Sequence, residues 1–358
     1  MKKLLFAAYS LDVGGIEKAL VTLLNELQKR EYEITLVLEQ KEGIFLKELN
    51  PKIKIITYTP NNDKNALKRK IINFIQQIKF ALKYKNKFDF SASFATYSNS
   101  SAFVSRTSSK NSYLWGHADY LTLFEGNKER TKEFFKEKKC NKFKNVIFVS
   151  NEGKQSFISL FPNMKEKTIV CNNLIYNKKI EELANEKIEL EKDKIITFLN
   201  VGRHDERQKR LSKIIEVASR LKQEQYKFKI LFVGDGQDTE KYKKMVQENN
   251  LNEQIIFLGR KQNPYPYFKI ADCVILTSEY EGYPVVFLES MILNKPIITT
   301  KVSDYEDVES KYGYTTTKEI DDIYEKMKLF IENGFEIKEK FDADKYNKEI
   351  IEKLEKLF

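Results

Sequence analysis

The stretch TSEYEGYPVVFLESMILNKP, residues 277–296, predicts one strand–loop–helix unit. The segment that leads into it, DCVILTS at 272–278, has the apolar composition of a buried strand. Pro284 suits the first position of a helix and Asn294 suits its end, so we expect a helix over residues 284–293. Glu281 lies just before this helix, and Glu289 lies inside it among apolar neighbours. Such a unit is typical of an α/β domain with a parallel sheet.

The same unit recurs along the chain. Buried strands are predicted at 3–9, 33–39, 52–58, 88–95, 112–116, 145–150, 167–172, 195–202, 228–234, 254–259, 272–278 and 296–300. Further helices are predicted at 16–30, 66–84, 209–222, 238–249 and 343–358. Strands joined by helical crossovers predict mostly parallel sheets that are covered on both faces. We therefore expect an α/β protein with two doubly wound, Rossmann-like domains, whose ligands bind at the carboxyl ends of the strands.

The pattern of strands and helices is interrupted once. The chain has 358 residues, which is long for a single core, and residues 178–193, KKIEELANEKIELEKD, are highly charged without a strand pattern. We expect an N-terminal domain over 1–180, a linker over 181–193, a C-terminal domain over 194–340 and a terminal helix over 341–358.

The net charge of +10 is concentrated in one part of the chain. Residues 51–150 hold 20 basic and 7 acidic side chains. Either an anionic partner of the N-terminal domain or a solvated, lysine-rich surface explains this excess equally well. Helix 66–84 carries much of the charge, and we expect its apolar stripe to face the core while its basic face is free to rest on anionic lipid.

Composition also bears on the location of the protein. No apolar window is long enough to span a membrane, and the short apolar run at 3–9 leads into DVGGIEK without a cleavage signal. The three cysteines are too few and too scattered for a disulfide or metal framework. We expect a cytoplasmic protein.

The two glutamates of the opening stretch suit one elongated polar ligand. A carboxylate accepts hydrogen bonds from hydroxyl groups, and the free amides at a helix start favour an anion. Glu281 and Glu289 thus predict a site that holds a hydroxylated group at each end and phosphate between them. The alternative is that Glu281 only complements the helix dipole and Glu289 is solvated. The apolar neighbours of Glu289 disfavour that alternative.

Two cations follow another predicted strand end. Arg203 comes after the strand at 195–202, and Lys209 opens the next helix. A planar guanidinium and an ammonium at the carboxyl edge of a parallel sheet suit a diphosphate. Ordinary surface charge is the alternative, because Arg207 and Arg210 are nearby.

Paired glycines lie between the first strand and the first helix. Gly14 and Gly15 would let the backbone approach a ligand closely at a helix N-terminus, or they serve only the turn. The stretch lacks the G-x-G-x-x-G pattern, so it does not predict a nicotinamide-binding domain.

These motifs resemble a known family over nearly the whole chain. The signature E-x7-E is found in EGYPVVFLE (281–289), and the other motifs follow the order of the family: GG (14–15), FVS (148–150), VCNN (170–173), VGR (201–203) and VGDG (233–236). The chain resembles the retaining family-4 glycosyltransferases of the GT-B fold. In addition, YLWGHADY (113–120) is similar to the W-x-H-x-D stretch of bacterial capsule, exopolysaccharide and lipopolysaccharide transferases.

The resemblance implies a fold and a role for each matching residue. The two parallel sheets would face a central cleft, with the C-terminal helix crossing back to the N-terminal domain. Glu281 would bind the donor sugar and Glu289 the ribose, while His117 would lie beside the sugar. The implied catalytic residues are Glu281, His117, Arg203 and Lys209. The implied donor-binding residues are Gly14, Gly15, Gly282, Tyr283, Pro284, Glu289, Gly259 and Arg260. His204 is left without a role.

The implied activity is retaining transfer of a hexose or N-acetylhexosamine from a nucleotide-diphosphate sugar, with a UDP-sugar expected. The acceptor would be a hydroxyl of a lipid-linked saccharide or growing cell-surface glycan, at an enzyme peripheral to the inner face of the cell membrane. A soluble or teichoic-type acceptor, and a non-catalytic nucleotide-sugar-binding subunit, remain alternatives. Neither a nucleic-acid partner nor a cofactor is expected.

Two local features qualify the resemblance. The only Asp-x-Asp stretch, DAD at 342–344, lies in the tail, so the transferase is expected to be metal-independent. Residues 301–310, KVSDYEDVES, stand where the family often has a glycine-rich turn. The resemblance therefore does not predict which residues form that wall of the sugar pocket.

Overall fold

The computed structural model describes residues 1–12, 14–192 and 194–358. These residues form two compact units. Unit 1 comprises Met1–Leu174 together with Tyr346–Phe358, and unit 2 comprises Ile175–Lys345. None of the helices within the described ranges combines the length and apolarity that a membrane crossing requires.

Unit 1 is built on a seven-stranded parallel sheet in the order β3-β2-β1-β4-β5-β6-β7. Its strands are β1 (Lys3–Ala8), β2 (Glu33–Leu38), β3 (Lys54–Thr57), β4 (Phe90–Ser93), β5 (Ser112–Gly116), β6 (Asn145–Phe148) and β7 (Thr168–Val170). Its helices are α1 (Gly15–Gln28), α2 (Ala66–Tyr84), α3 (Asn99–Ser108), α4 (Tyr120–Leu123), α5 (Lys128–Glu137) and α6 (Asn151–Leu160).

Unit 2 is built on a six-stranded parallel sheet in the order β10-β9-β8-β11-β12-β13. Its strands are β8 (Ile196–Val201), β9 (Phe228–Val233), β10 (Ile255–Gly259), β11 (Cys273–Leu276), β12 (Ile297–Thr300) and β13 (Gly313–Thr316). Its helices are α7 (Asn177–Leu183), α8 (Leu211–Gln223), α9 (Thr239–Glu248), α10 (Tyr265–Ile270), α11 (Val285–Ile292) and α12 (Ile320–Asn333). The last helix of the chain, α13 (Ala343–Glu355), runs into the C-terminal part of unit 1.

The structure confirms the expected fold class of two parallel-sheet, Rossmann-like domains. Each of the twelve predicted strands contains an observed strand, whereas β13 and α12 were not predicted. Helix α7 covers residues that the sequence pattern assigned to the end of the first domain and to the linker. In the structure these residues belong to unit 2, where α7 packs against α10 and α11.

Both sheets reverse their strand order at one point. In unit 1 the reversal lies between β1 and β4, and in unit 2 it lies between β8 and β11. Loops that leave the carboxyl ends of two such neighbouring strands diverge to opposite faces of the sheet and open a crevice between them. The loop after β8 carries Arg203 and Lys209, and the loop after β11 carries Glu281.

Most helices pack a continuous apolar face against their sheet. Helix α1 buries seven of its 14 residues, and α8 buries six of its 13. Helix α2 is different, because Phe80 is the one buried residue among its 19. The expectation that its apolar stripe faces the core is wrong: the stripe lies on the solvent side.

Candidate active site

A short, largely buried ion pair at the β8/β11 crevice joins the two loops. The Nζ atom of Lys209 lies 2.5 Å from Oε1 of Glu281, and both side chains are largely buried. Ser278 Oγ donates to the same carboxylate oxygen at 2.7 Å. The loops are also tied by Thr277, whose hydroxyl donates to the carbonyls of Lys209 and Arg210. The structure thus brings together Glu281 and Lys209, which are 72 positions apart in the sequence.

Lys209 lies in a loop and not in a helix. Helix α8 begins at Leu211, and Arg210 before it has the left-handed φ of 51°. The expected helix start at 209 is therefore wrong by two residues. This turn directs the side chain of Lys209 along Gly202, where a Cβ atom would lie 3.4 Å from Lys209 Cε.

Glu289 lies on α11 with a different partner. Its side chain is 5 % exposed, and Tyr265 Oη donates to its Oε1 atom at 2.9 Å. Tyr265 is itself buried at the start of α10. Pro284 has an extended backbone and precedes the helix, so it is the N-cap and not the first helical residue as expected. The structure excludes a solvated role for Glu289.

The loop before α11 is packed against the segment that departs from the family pattern. Tyr283 Oη donates to Asp307 Oδ2 at 2.8 Å, and Ser303 Oγ donates to the carbonyl of Gly282. Residues 303–307 therefore support Gly282 and Tyr283 from the far side. The sequence carried no signal for these contacts, because they join residues of two separate loops.

Arg203 and His204 follow β8 with opposite surroundings. Arg203 is exposed, and within the described part of the chain its side chain has no hydrogen bond or ion pair. His204 is fully buried, its Nδ1 atom lies 2.9 Å from Thr239 Oγ1, and burial lowers its pKa. A Cβ atom on Gly236 would lie 2.3 Å from the carbonyl oxygen of His204. His204 thereby fixes the VGDG loop against the loop that presents Arg203.

Gly259 and Arg260 lie at the carboxyl end of β10 and are exposed. Gly259 has a φ of 69°, a conformation that favours glycine. Arg260 is close enough to Asp235 to contribute to lowering the pKa of that carboxylate, after hydrogen bonds from Thr239 and Gly236. Strand β10, which ends at Gly259, is two positions away from β8 in the sheet.

In unit 1, Gly14 and Gly15 lie at the start of α1. Gly14 has an ordinary extended φ of −179°, but a Cβ atom there would lie 2.1 Å from the carboxylate of Glu17. No atom lies within 4 Å of the Cβ position of Gly15, among the residues that are described. Because that carboxylate is the far end of a flexible side chain and can move aside, the contact does not require glycine at position 14, and Gly15 leaves open space at the helix N-terminus.

His117 lies directly after β5 in unit 1 and is 9 % exposed. Burial lowers its pKa to about 3, so the imidazole is neutral at physiological pH. Its ring lies 4.4 Å from Phe94 and is stacked on Trp115. Within the described ranges its Nε2 atom has no hydrogen-bond partner. Asp119 of the same stretch caps α4 through the amides of Leu121 and Thr122.

Several residues that contact the two glutamates were not predicted from the sequence. Tyr265 lies 24 positions from Glu289, and Ser278 and Gln208 contact Glu281. Ser278 was within reach of a sequence argument, since it lies three positions before Glu281 at a strand end. Tyr265 and Gln208 depend on the packing of separate elements.

Known proteins resemble the chain in sequence and in fold. Residues 179–350 match the model of the family "Glycosyl transferases group 1". The chain is 27 % identical over 319 residues to an N-acetylgalactosamine-N,N'-diacetylbacillosaminyl-diphospho-undecaprenol 4-alpha-N-acetylgalactosaminyltransferase of Campylobacter jejuni, with 84 % of this chain and 81 % of that protein covered. It is 30 % identical to an uncharacterised glycosyltransferase of Methanocaldococcus jannaschii over 165 residues, which span 44 % of this chain and 40 % of that protein.

The crystal structure of Anabaena HepE in complex with UDP and glucose has a TM-score of 0.76 to this structure. Its sequence is 19 % identical, and the match covers 99 % of this chain and 100 % of that one. Fold and family match together define a glycosyltransferase of the GT-B class. The family match covers residues 179–350, just under half of the chain, and falls almost entirely within unit 2.

Proposed function

We propose that the protein transfers a hexose or N-acetylhexosamine, with retention of anomeric configuration, from a UDP-sugar to a hydroxyl of a lipid-linked saccharide. The observation that carries this proposal is the pair of buried glutamates, one just before α11 and one inside it. A complex of HepE contains UDP and glucose, and the C. jejuni relative is named for a diphospho-undecaprenol acceptor. Both support the assignment of donor and acceptor.

In this proposal the donor lies across the N-terminus of α11. Glu289 accepts hydrogen bonds from the ribose hydroxyls, and Glu281 accepts them from the sugar. The amides of Gly282 and Tyr283 and the helix dipole favour the diphosphate between them. Because Glu281 and Ser278 already hold the site in place, little side-chain entropy is lost when the donor binds.

In the proposed chemical step the sugar is cleaved from the diphosphate, and negative charge develops on the departing diphosphate. The bond from the anomeric carbon to the diphosphate breaks, the acceptor oxygen bonds to the same face of that carbon, and the acceptor proton passes to the departing phosphate. Arg203 and Lys209 stabilise the charge that develops on the diphosphate. We propose that these two cations replace a divalent metal, and that neutral His117 donates a hydrogen bond to a sugar hydroxyl.

The proposed acceptor implies that the enzyme acts at a membrane. A saccharide linked to a lipid diphosphate is anchored in a bilayer, and the basic residues of the N-terminal half would attract an anionic surface. We propose a peripheral enzyme on the inner face of the cell membrane, where nucleotide sugars are available.

Thermal unfolding in the presence of UDP, GDP, ADP and CMP tests the donor site. UDP is expected to raise the melting temperature in proportion to its occupancy, because it binds the folded state alone. Glu289→Gln should reduce the effect of UDP, whereas Glu253→Gln, an exposed residue at the other end of the sheet, should keep it. If none of the four nucleotides raised the melting temperature of the parent chain or of Glu253→Gln, the assignment of the donor site would be contradicted.

Turnover of UDP-sugars tests the chemistry on the same preparation. We expect Glu281→Gln to lose at least about a hundredfold in kcat while it still binds UDP, a loss of about 2.7 kcal/mol in transition-state stabilisation. Chelation of divalent metals should leave the rate unchanged. The anomeric configuration of the product, measured by NMR coupling, should equal that of the donor, and inversion would rule out the proposed course.

A further inference from the structure

Helix α2 exposes an apolar surface that no other helix of unit 1 matches among the described residues. Six of its large apolar side chains are 44–80 % exposed: Leu67, Ile71, Phe74, Ile75, Ile78 and Leu82. They recur at three- and four-residue steps and therefore form one stripe along the helix. The stripe runs for about 22 Å at about 1.5 Å per residue.

The opposite face of α2 attaches the helix to unit 1. Phe80 is buried there against the rings of Tyr58 and Phe103. The side chain of Asn73 exchanges hydrogen bonds with the backbone of Asn61 near the helix start. Because this attachment fixes the rotation of the helix, the apolar stripe is held outward and cannot turn into the core.

Cations border the stripe on both sides. At about 100° per residue, Lys68 and Lys79 lie on one flank and Lys70 lies on the other. Residues 64–87 contain eight basic side chains and no acidic one. A long lysine side chain beside an apolar face can extend its ammonium group toward an anionic layer above that face.

We propose that α2 is an interfacial membrane helix, with its stripe in the outer acyl region of an anionic bilayer and its lysines at the level of the lipid phosphates. The charge around the stripe favours a membrane over a second copy of the chain as its binding partner. An anionic lipid surface complements the flanking cations, whereas the same helix of a second copy would repel them. The six exposed apolar side chains also lie together on one helix face, whereas on an ordinary solvated surface such residues are scattered singly. The helix lies flat, because its inner face is fixed to the protein.

Vesicle flotation of the full chain tests the proposal without donor or acceptor, so its outcome is independent of the proposed activity. The probes are phosphatidylcholine vesicles with and without 30 % phosphatidylglycerol, about a third of the lipid being anionic as on a charged leaflet. We expect binding to the anionic vesicles, and at least a tenfold loss of partitioning for Phe74→Ser combined with Leu82→Ser. Gln77→Ser, an exposed position beside the stripe, is the matched control and should bind as the parent chain does.

Fluorescence locates the helix in the bilayer. The single tryptophan of the chain, Trp115, is buried, so the added indole of Phe74→Trp reports the environment of the stripe. The emission of Phe74→Trp should shift to shorter wavelength with anionic vesicles, and that of Gln77→Trp should shift less. All altered side chains are exposed, and unchanged melting temperatures will show that the variants fold.

Three results would overturn the proposal. Binding that survives the serine substitutions would show that the stripe does not insert. Binding that high salt abolishes completely would show adsorption by charge alone. Concentration-dependent self-association that the serine substitutions abolish would assign the stripe to a second copy of the chain.

Discussion

At the scale of single residues, the two site glutamates are buried for different reasons. Glu281 is paired with an ammonium group, and Glu289 accepts from a phenol. An unpaired carboxylate in such surroundings would cost several kcal/mol, so each partner makes the burial tolerable. The apolar neighbours of Glu289 in the sequence indicated that it would be buried. The identity of its partner depended on tertiary packing and was beyond a sequence argument.

His117 gives a prediction about pH. Its pKa in the folded chain is about 3, below the ordinary value of 6.5, because burial disfavours the imidazolium. Between these values the unfolded chain binds the extra proton, so the free energy of unfolding falls as the pH falls below about 6.5. The contribution of His117 to the free energy of unfolding is therefore constant above about pH 6.5, and it decreases by about 1.4 kcal/mol per pH unit toward pH 3.

The measurement compares denaturant unfolding of the parent chain and of His117→Gln from pH 7 to pH 4. Acid titration of all other groups, including buried His204, is common to both proteins. The free energy of unfolding of the parent chain should fall more steeply as the pH is lowered. The difference in slope should correspond to the uptake of close to one proton on unfolding. Parallel curves would show that His117 titrates in the folded state as it does in the unfolded chain.

At the scale of elements, periodicity located the strands and helices better than it assigned their faces. The strand expected at 272–278 and the helix expected at 284–293 correspond to β11 and α11, with differences of a few residues at their ends. For α2 the stripe was correctly placed on one face but was expected to point inward. A periodic pattern defines an amphipathic helix, and only the packing of Phe80 against Tyr58 decides which face is solvated.

The contact between α10 and α11 gives a prediction about donor binding. Tyr265→Phe removes the hydroxyl that donates to Glu289, and a buried acceptor left short of a partner costs about 1–3 kcal/mol. We expect KM for the UDP-sugar to rise several-fold while kcat changes little, because the ribose is far from the bond that breaks. Steady-state kinetics with varied donor separates the two constants.

The matched control lies on the same helix. Tyr267→Phe is the same chemical change at another buried tyrosine of α10 and should leave KM within about twofold, below about 0.4 kcal/mol. A loss confined to kcat in Tyr265→Phe would instead place Glu289 near the reacting bond.

At the scale of the whole molecule, the chain forms unit 1 first, then unit 2, and returns to unit 1 at its end. Ile350, Ile351 and Leu354 of the returning segment are buried. The carbonyl of Leu357 accepts hydrogen bonds from Asn111 and Tyr113. The resemblance to GT-B transferases implied this return, but the amphipathic pattern of residues 343–358 alone did not specify which core it completes.

Substitution of Leu354 tests how far the C-terminal segment stabilises unit 1. Leu354→Ala removes a side chain that is 1 % exposed, and such changes cost about 2–5 kcal/mol. The fluorescence of Trp115 reports unit 1 directly, because the chain has no other tryptophan and this one lies in β5. We expect the midpoint of its thermal transition to fall by roughly 5–15 °C.

Lys356→Ala, an exposed position two residues further on, should leave the midpoint in place. Equal midpoints for Leu354→Ala and the parent chain would mean that the core of unit 1 is complete without the returning segment, and that the last helix contributes surface but no stability.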